Sequence, residues 1–147
     1  MEKQRILVVE DDQTVKKTFK EILEKEGYTV ETAENGEEAI EKSNINIYNL
    51  ALVDIRLPDM EGTKLLTMMR ETTPKMRKII ITGYPSLENA IEAVNKGADG
   101  YIVKPVLDMK ELINKVKEHL KKQQEERKYG EEKVKEFIET RARELED

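Results

Sequence analysis

Residues 5–12 read Arg-Ile-Leu-Val-Val-Glu-Asp-Asp, an apolar and largely branched run that is followed at once by three carboxylates. Four consecutive apolar residues, Ile6 to Val9, are typical of a strand that is buried on both faces of a parallel sheet. The first strand of the chain is therefore predicted to end in a group of acidic side chains.

The alternation of strand and helix patterns extends over the first 120 residues. Short β-rich runs predict strands at residues 6–9, 28–33, 50–53, 79–81 and 101–103, and each is followed by apolar residues at helical spacing. Ser86 and Asp108 are predicted helix N-caps, while Gly27 and Gly97 are predicted helix ends. Five strands alternating with five helices predict a doubly wound α/β sheet with right-handed crossovers, and a (β/α)₈ barrel is excluded because it needs about 250 residues.

The composition restricts the function classes. Charged residues make up 39% of the 147 residues, and the chain has no cysteine for a disulfide or a thiolate metal site. The net charge of −5 and the lack of basic clusters beyond pairs such as Lys16-Lys17 argue against direct nucleic-acid binding. No apolar run approaches the roughly 20 residues of a membrane span and no signal peptide is recognisable, so we expect a cytoplasmic protein without membrane contact.

Chemically distinctive residues follow the predicted strands. They are Glu10, Asp11 and Asp12 after the first strand, Asp54 after the third, Thr82-Gly83 after the fourth and Lys104-Pro105 after the fifth. The carboxyl ends of parallel strands lie at one edge of a sheet, and we expect these side chains to meet there.

Such a cluster has the parts that phosphoryl transfer to a carboxylate requires. Carboxylates held this close repel one another and raise their pKa values, which a hard divalent cation would relieve. Oxygen ligands alone suit Mg²⁺ better than Zn²⁺. A lysine ammonium and a threonine hydroxyl beside them would hold phosphate oxygens.

The residues at or near these strand ends are Glu10, Asp11, Asp54, Thr82, Tyr101, Lys104 and Pro105. In this order and spacing they resemble the receiver domain of two-component response regulators, over about residues 3–120. The resemblance implies a flavodoxin-like five-stranded parallel sheet of order 2-1-3-4-5. It also implies a phosphorelay protein that receives its phosphoryl group from a sensor histidine kinase or a phosphotransfer protein, and that catalyses only its own phosphorylation and dephosphorylation.

By this resemblance, Asp54 is the phosphoacceptor and would form an aspartyl phosphate. Mg²⁺ would be bound mainly by Asp11, with Asp54, with Glu10 assisting through water and with the backbone carbonyl of Arg56, whose side chain is then free to vary. Asp12 is expected to cap the following helix rather than to bind the metal.

The same resemblance assigns the remaining strand-end residues. Lys104 is expected to pair with the phosphoryl group, and Pro105 to follow a cis peptide bond. Thr82 and Tyr101 would form a switch pair: on phosphorylation the Thr82 hydroxyl moves towards the phosphate and the Tyr101 ring rotates inward.

The loop after the fourth strand and the helix that begins near Ser86 are the expected mobile element. Gly83 is expected to keep the mouth of the site open to a donor. Tyr84 is expected to cover the phosphate and to tune how quickly water removes it.

Each residue also has a simpler interpretation when it is taken alone. Glu10 to Asp12 would then only cap the first helix, Asp54 would be a turn residue, Lys104 a solvated loop lysine and Tyr101 a core aromatic. His119, the only histidine, lies near a predicted helix end, and we expect it to be exposed to solvent.

Other enzymes that act on phosphate fit the sequence less well. Haloacid-dehalogenase-type phosphatases carry a second Asp two residues after the aspartate nucleophile, whereas Arg56 stands there after Asp54, and Thr14 stands there after Asp12. The nucleotide-binding motifs G-x-x-x-x-G-K-[ST] and G-x-G-x-x-G are both absent from the sequence. A hydrolase, a nucleotide-dependent switch and a dinucleotide enzyme are therefore disfavoured.

Residues 121–147 form a charged extension after the predicted receiver domain of residues 1–120. Of its 27 residues 17 are charged, Gly130 interrupts its helix-forming residues, and Val134, Phe137, Ile138 and Leu145 give a thin apolar stripe. Three interpretations stay open. The extension is a solvated continuation of the last helix that frays after Leu120, a surface for another copy or its own receiver domain, or a linker cut from a longer transcriptional regulator or hybrid kinase. We expect the phosphorylated protein to act by binding a downstream protein partner or by self-association.

Overall fold

Five strands and five helices alternate along residues 3–146, which are the residues that the computed structural model describes. In chain order they are β1 (Arg5–Val9), α1 (Gln13–Lys25), β2 (Thr29–Ala33), α2 (Gly36–Ile45), β3 (Leu50–Asp54), α3 (Gly62–Met68), β4 (Arg77–Thr82), α4 (Leu87–Asn95), β5 (Gly100–Val103) and α5 (Met109–Glu146).

The strands form one parallel sheet in the order β2-β1-β3-β4-β5. Both the doubly wound architecture and the strand order predicted from the sequence are confirmed. The order reverses between β1 and β3, and in such sheets the crevice beyond the carboxyl ends of these two strands is the usual place for a functional site.

The central strands are largely apolar because their two faces pack against different helices. On β1, Ile6 and Val8 join a core with residues of α1 and α5, whereas Leu7 and Val9 join a second core with residues of α2, α3 and α4. None of these four side chains is more than 1% exposed. Burial on both faces of the sheet therefore explains why the four consecutive residues Ile6 to Val9 are all apolar.

The predicted helix caps are also confirmed. The Asp12 side chain accepts hydrogen bonds from the backbone amides of Thr14 and Val15 at the start of α1. Ser86 caps α4, and the glycines that follow α1 and α4 have φ angles of 97° and 98°. These angles lie in the left-handed region that glycine adopts at little cost.

Helix α5 is 38 residues long and continues through Gly130 without a break. Leu112, Val116 and Leu120 pack on the sheet, and Gln123 is buried at the base of the domain. Side chains 124–145 are all exposed. The domain boundary at residue 120 stays a prediction, since α5 crosses that position as one helix.

The prediction that His119 is exposed is wrong, because its side chain is only 8% exposed. It lies on the face of α5 that also carries Val116, and a Cβ added to Gly100 would come within 2.8 Å of its Nε2. An Arg77 Nη2 lies 3.0 Å from Nδ1. Burial, helped by the charge of Arg77, lowers the pKa of the imidazole below its ordinary value.

No helix within residues 3–146 combines the length and the apolar character that crossing a membrane requires.

Candidate functional site

Glu10, Asp11 and Asp54 meet at the carboxyl edge of the sheet. Val9 pairs with Val53 in the register of β1 and β3, and the residue that follows each of them therefore emerges at the same level. One carboxylate oxygen from each of the three acids lies within 4.8 Å of the others. Glu10 and Asp54 are buried, whereas Asp11 is exposed, so the cluster has a buried floor and an open side.

Lys104 lies across the two buried carboxylates. Its Nζ donates to Glu10 Oε2 at 2.6 Å and to Asp54 Oδ2 at 3.1 Å. The other oxygen of each acid accepts a backbone amide, that of Asp12 on Glu10 and that of Arg56 on Asp54, both at 3.2 Å. Every oxygen of the two buried acids thus has a donor.

The charges of the cluster are strongly coupled. Burial raises the pKa of Glu10 to about 7, and the charge of Asp54 adds to the rise while the hydrogen bond from Lys104 opposes it. Burial alone would lower the pKa of Lys104, but the hydrogen bond to Glu10 and the charges of both acids outweigh it and raise that pKa. The main cause of the rise at Glu10 is therefore burial, and the repulsion between carboxylates that the sequence led us to expect adds to it.

The acidic cluster fits a hard divalent cation by the chemistry of its donors. Glu10, Asp11 and Asp54 offer oxygen ligands only, and they present more negative charge than the single ammonium of Lys104 offsets. Such an all-oxygen set suits Mg²⁺ and has no soft ligand that would favour zinc.

The loop between β3 and α3 closes tightly onto the backbone of Asp54. The amide of Gly62 donates to the carbonyl of Ile55 at 2.6 Å, and a Cβ at Gly62 would lie only 2.0 Å from the Asp54 carbonyl oxygen. Glycine is therefore required there for the loop to support the acidic cluster.

An open cavity of about 540 Å³ adjoins the site and is lined by Gly83, Tyr84, Lys104, Pro105 and residues of α1. The peptide bond between Lys104 and Pro105 is cis, as predicted. Gly83 lies at the wall, where an added Cβ would meet only Lys104 Cβ at 3.9 Å. Tyr84 is 62% exposed at the mouth of the cavity.

Thr82 and Tyr101 lie on neighbouring strands, and each is held by a hydrogen bond. Thr82 is fully buried, and its Oγ1 accepts the amide of Tyr84 at 3.0 Å. Tyr101 is half-buried against the core, and its hydroxyl donates to Asn89 Oδ1 in α4.

Two contacts near the site were not predicted. Asn89 accepts from both Tyr101 and the amide of Ser86, and its Nδ2 donates to the carbonyl of Tyr84 at 2.9 Å. The Arg56 guanidinium lies 3.7 Å from the centre of the Tyr84 ring. The spacing Ser86-x-x-Asn89 is the capping-box pattern with an amide in its last position. This pattern in the sequence could have predicted the contact between Asn89 and the amide of Ser86.

A family model described as "Response regulator receiver domain" matches residues 6–117. A CheY-like response regulator receiver domain protein from Methanospirillum hungatei is 48% identical, with a TM-score of 0.81 over 85% of this chain and 99% of that one. The response regulator TrrA from Thermotoga maritima, solved in complex with Mg(2+)-BeF, is 35% identical, with a TM-score of 0.70 over 79% of this chain and 98% of that one.

The curated relatives are longer than this chain. The transcriptional regulatory protein SrrA of Staphylococcus aureus is 36% identical over 121 residues, which cover 81% of this chain and 48% of SrrA. Among the relatives matched most strongly, the aligned part amounts to between 22% and 53% of the relative's length.

Proposed function

Because the chain belongs to the response regulator receiver domain family, we propose that it is a phosphorylation-controlled signalling protein whose phosphoacceptor is Asp54. The observation that carries the proposal is the contact of Lys104 with Asp54 and Glu10 beside Asp11, at the point where the strand order reverses. A nucleophilic carboxylate, a fixed ammonium and two further acids are what an aspartyl phosphate site requires.

The phosphodonor is a histidine kinase or a phosphotransfer protein that carries phosphohistidine. An Asp54 oxygen attacks phosphorus, and the bond between phosphorus and the imidazole nitrogen of the donor breaks with its electron pair going to that nitrogen. We assign Mg²⁺ to Asp11, Asp54 and the Arg56 carbonyl, with Glu10 assisting through water. When bound, Mg²⁺ supplies neutralisation of charge on the phosphoryl oxygens.

Lys104 then changes partners. Its Nζ now bridges Glu10 and Asp54, and a phosphoryl group on Asp54 would offer it a more highly charged oxygen than either carboxylate. The ammonium would hold that oxygen, while Glu10 remains free to accept from a water on the metal.

The switch that we propose connects Thr82 to α4. The Thr82 hydroxyl would donate to a phosphoryl oxygen and release the amide of Tyr84, to which it is now bonded. The loop could then shift, Tyr101 would leave Asn89 and turn inward, and the surface around α4 would change for a downstream protein. Gly83 gives the donor access, and Tyr84 covers the phosphate from solvent.

Incubation with acetyl phosphate and MgCl₂ tests this proposal. The wild-type chain should gain one phosphoryl group that hydroxylamine removes, and Asp54→Asn should gain none. Asp12→Asn is the matched control, since it changes a neighbouring carboxylate that caps α1, and it should be phosphorylated like the wild type. No gain in the wild type, or an equal gain in Asp54→Asn, would reject the proposal.

A second candidate is that these residues act as the receiver part of a longer transcriptional regulator or hybrid kinase. The relative lengths support it, since the chain spans only 48% of SrrA. In that case residues 1–120 are the receiver domain and residues 121–147 lead to an output domain. Sequencing the gene beyond the codon for Asp147 separates the two candidates: a stop codon there rejects the second, and an open frame encoding a further domain supports it. Response regulators of either kind generally work in the cytoplasm, where we also place this one.

A further inference from the structure

The exposed part of α5 carries a regular stripe of side chains along one face. We define this extension stripe by residues that follow one another at alternating intervals of four and three residues. This spacing places them in line along one face of a helix. Its members are Arg127, Glu131, Val134, Ile138, Arg141 and Leu145. The three apolar members are 59%, 60% and 81% exposed, so nothing among the described residues covers them.

The stripe begins at a notch in the base of the domain. The loop of residues 73–75 and the first four residues of the stripe line an open space of about 900 Å³, with Pro74 on one wall and Val134 and Ile138 on the other. The notch is apolar at its centre and bordered by charged residues such as Lys75 and Glu139.

We propose that this face binds the same face of a second copy of the chain, with the two helices antiparallel. Val134 of each copy then lies beside Ile138 of the other, which places two apolar layers at the centre. In the same register, each stripe residue that lies four positions after the previous one faces a stripe residue that lies three positions after its own predecessor. Two antiparallel helices with this spacing interdigitate in this way.

The charges of the stripe decide between the two possible directions. In the antiparallel register, Glu131 of each copy faces Arg141 of the other. Parallel helices in register would instead place Arg127, Glu131 and Arg141 each opposite its own copy. Like charges directly opposite one another are unfavourable, so only the antiparallel arrangement has complementary charges along the stripe.

Contacts within each helix are compatible with this arrangement. Glu131 accepts from Arg127 at 3.1 Å, and Arg141 donates to Glu144 at 3.0 Å. An antiparallel partner would join each of these pairs into a larger network of alternating charge. In that register Leu145 of the second copy lies level with Arg127, next to the notch beside Pro74, and its helix stays clear of the buried Gln123.

Sedimentation equilibrium on the unphosphorylated full chain tests the arrangement, and its outcome does not depend on Asp54. The wild type should shift from monomer to dimer between micromolar and millimolar concentration. Glu131→Arg and Arg141→Glu should each weaken association about tenfold, because two attractive pairs become repulsive. The double variant should recover wild-type association, since its pairs are attractive again. In a parallel dimer the double variant would associate no better than the single ones.

The matched controls lie on the opposite face of the same helix. Glu132→Arg and Arg143→Glu make the same changes of charge outside the stripe and should leave association unchanged. A wild type that stays monomeric at millimolar concentration would overturn the proposal, as would controls that weaken association as much as the stripe variants do.

Disulfide formation reports the direction independently, since the chain has no cysteine of its own. A mixture of Val134→Cys and Ile138→Cys chains should cross-link to each other under mild oxidation, while each variant alone should cross-link far less. Rapid cross-linking of each variant with itself would show parallel helices and reject the antiparallel arrangement.

Discussion

Lys104 offsets two carboxylates that come from different strands, and its position explains how buried acids are accommodated at the sheet edge. Removing one member of a buried ion pair leaves an uncompensated charge, which is costly. Glu10 and Asp54 each retain a single backbone amide besides the ammonium. Lys104 is therefore structural in the free site as well as a candidate ligand of the phosphoryl group.

Asp11 and Asp12 are adjacent carboxylates with different environments, and they provide a test of the metal site. Asp11 belongs to the acidic cluster, while Asp12 is occupied by the amides of Thr14 and Val15. Asp11→Asn should weaken Mg²⁺ binding at least about tenfold, because a carboxylate ligand is lost. Asp12→Asn should bind Mg²⁺ like the wild type and keep its stability, since Asn caps helices as well as Asp does.

Isothermal titration calorimetry with MgCl₂ measures both variants. Equal affinities of Asp11→Asn and the wild type would contradict the assigned ligand set. An equal loss in the two variants would show that only the general negative charge of this edge matters.

The N-terminus of α4 is joined to β5 and to the loop after β4 by one side chain. Asn89 contacts Ser86, Tyr84 and Tyr101, so three segments that the proposed switch must move depend on the same amide. The helix itself has Ala93 as its buried residue, and Leu87, Ile91 and Val94 are exposed. Because little of α4 is buried, the hydrogen bonds of Asn89 hold much of the helix in place.

Asn89→Ala is expected to loosen α4 without disturbing the rest of the fold. We expect the free energy of unfolding to fall by about 1–2 kcal/mol in urea denaturation, the range for loss of a helix cap and a further hydrogen bond. Backbone amides of residues 84–95 should exchange faster with deuterium. Asn95→Ala is the control, because Asn95 is exposed on the same helix, and it should change neither quantity by as much. If the two variants were equally stable, Asn89 would not hold the helix.

For the molecule as a whole, the fold was accessible from sequence because its determinants are local. Continuous apolar runs marked the buried strands, and caps such as Ser86 marked the helices. The position of the acids followed from topology, since Glu10 directly follows β1 and Asp54 ends the neighbouring strand β3. These features need no knowledge of which side chains meet at long range.

What could not be predicted depends on how one element is placed on another. His119 was expected outside, although its position three residues after Val116 lies on the packed face of α5, and the missing side chain of Gly100 provides its space. The stacking of Arg56 on Tyr84 joins residues of two loops whose paths the sequence pattern does not define.

Burial of His119 makes the stability of the whole domain depend on pH. Its pKa is lowered in the folded state, so the unfolded chain binds more protons below about pH 6.5, the ordinary histidine value, and acid favours unfolding there. The groups around the ring are Arg77, Asp99, Glu118 and Lys122. The contribution of His119 to the free energy of unfolding should fall as the pH drops below 6.5 and level off below the lowered pKa, whereas Glu10, whose pKa is raised, contributes in the opposite direction.

His119→Gln removes this titration while keeping an acceptor for Arg77. The difference in unfolding free energy between wild type and variant, measured in urea from pH 7.5 to 5, should shrink or reverse towards acid pH because only the wild type loses stability through the imidazole. A difference that stays constant across the range would contradict the assignment.

The central claim is that Asp54 carries the phosphoryl group, and borohydride reduction locates it directly. Reduction converts an acyl phosphate of aspartate to homoserine and leaves free carboxylates unchanged, and peptide mass spectrometry then identifies the residue. After incubation with acetyl phosphate and Mg²⁺, the account predicts homoserine at position 54 alone. Homoserine at Asp11, Asp12 or another aspartate, with Asp54 intact, would contradict it.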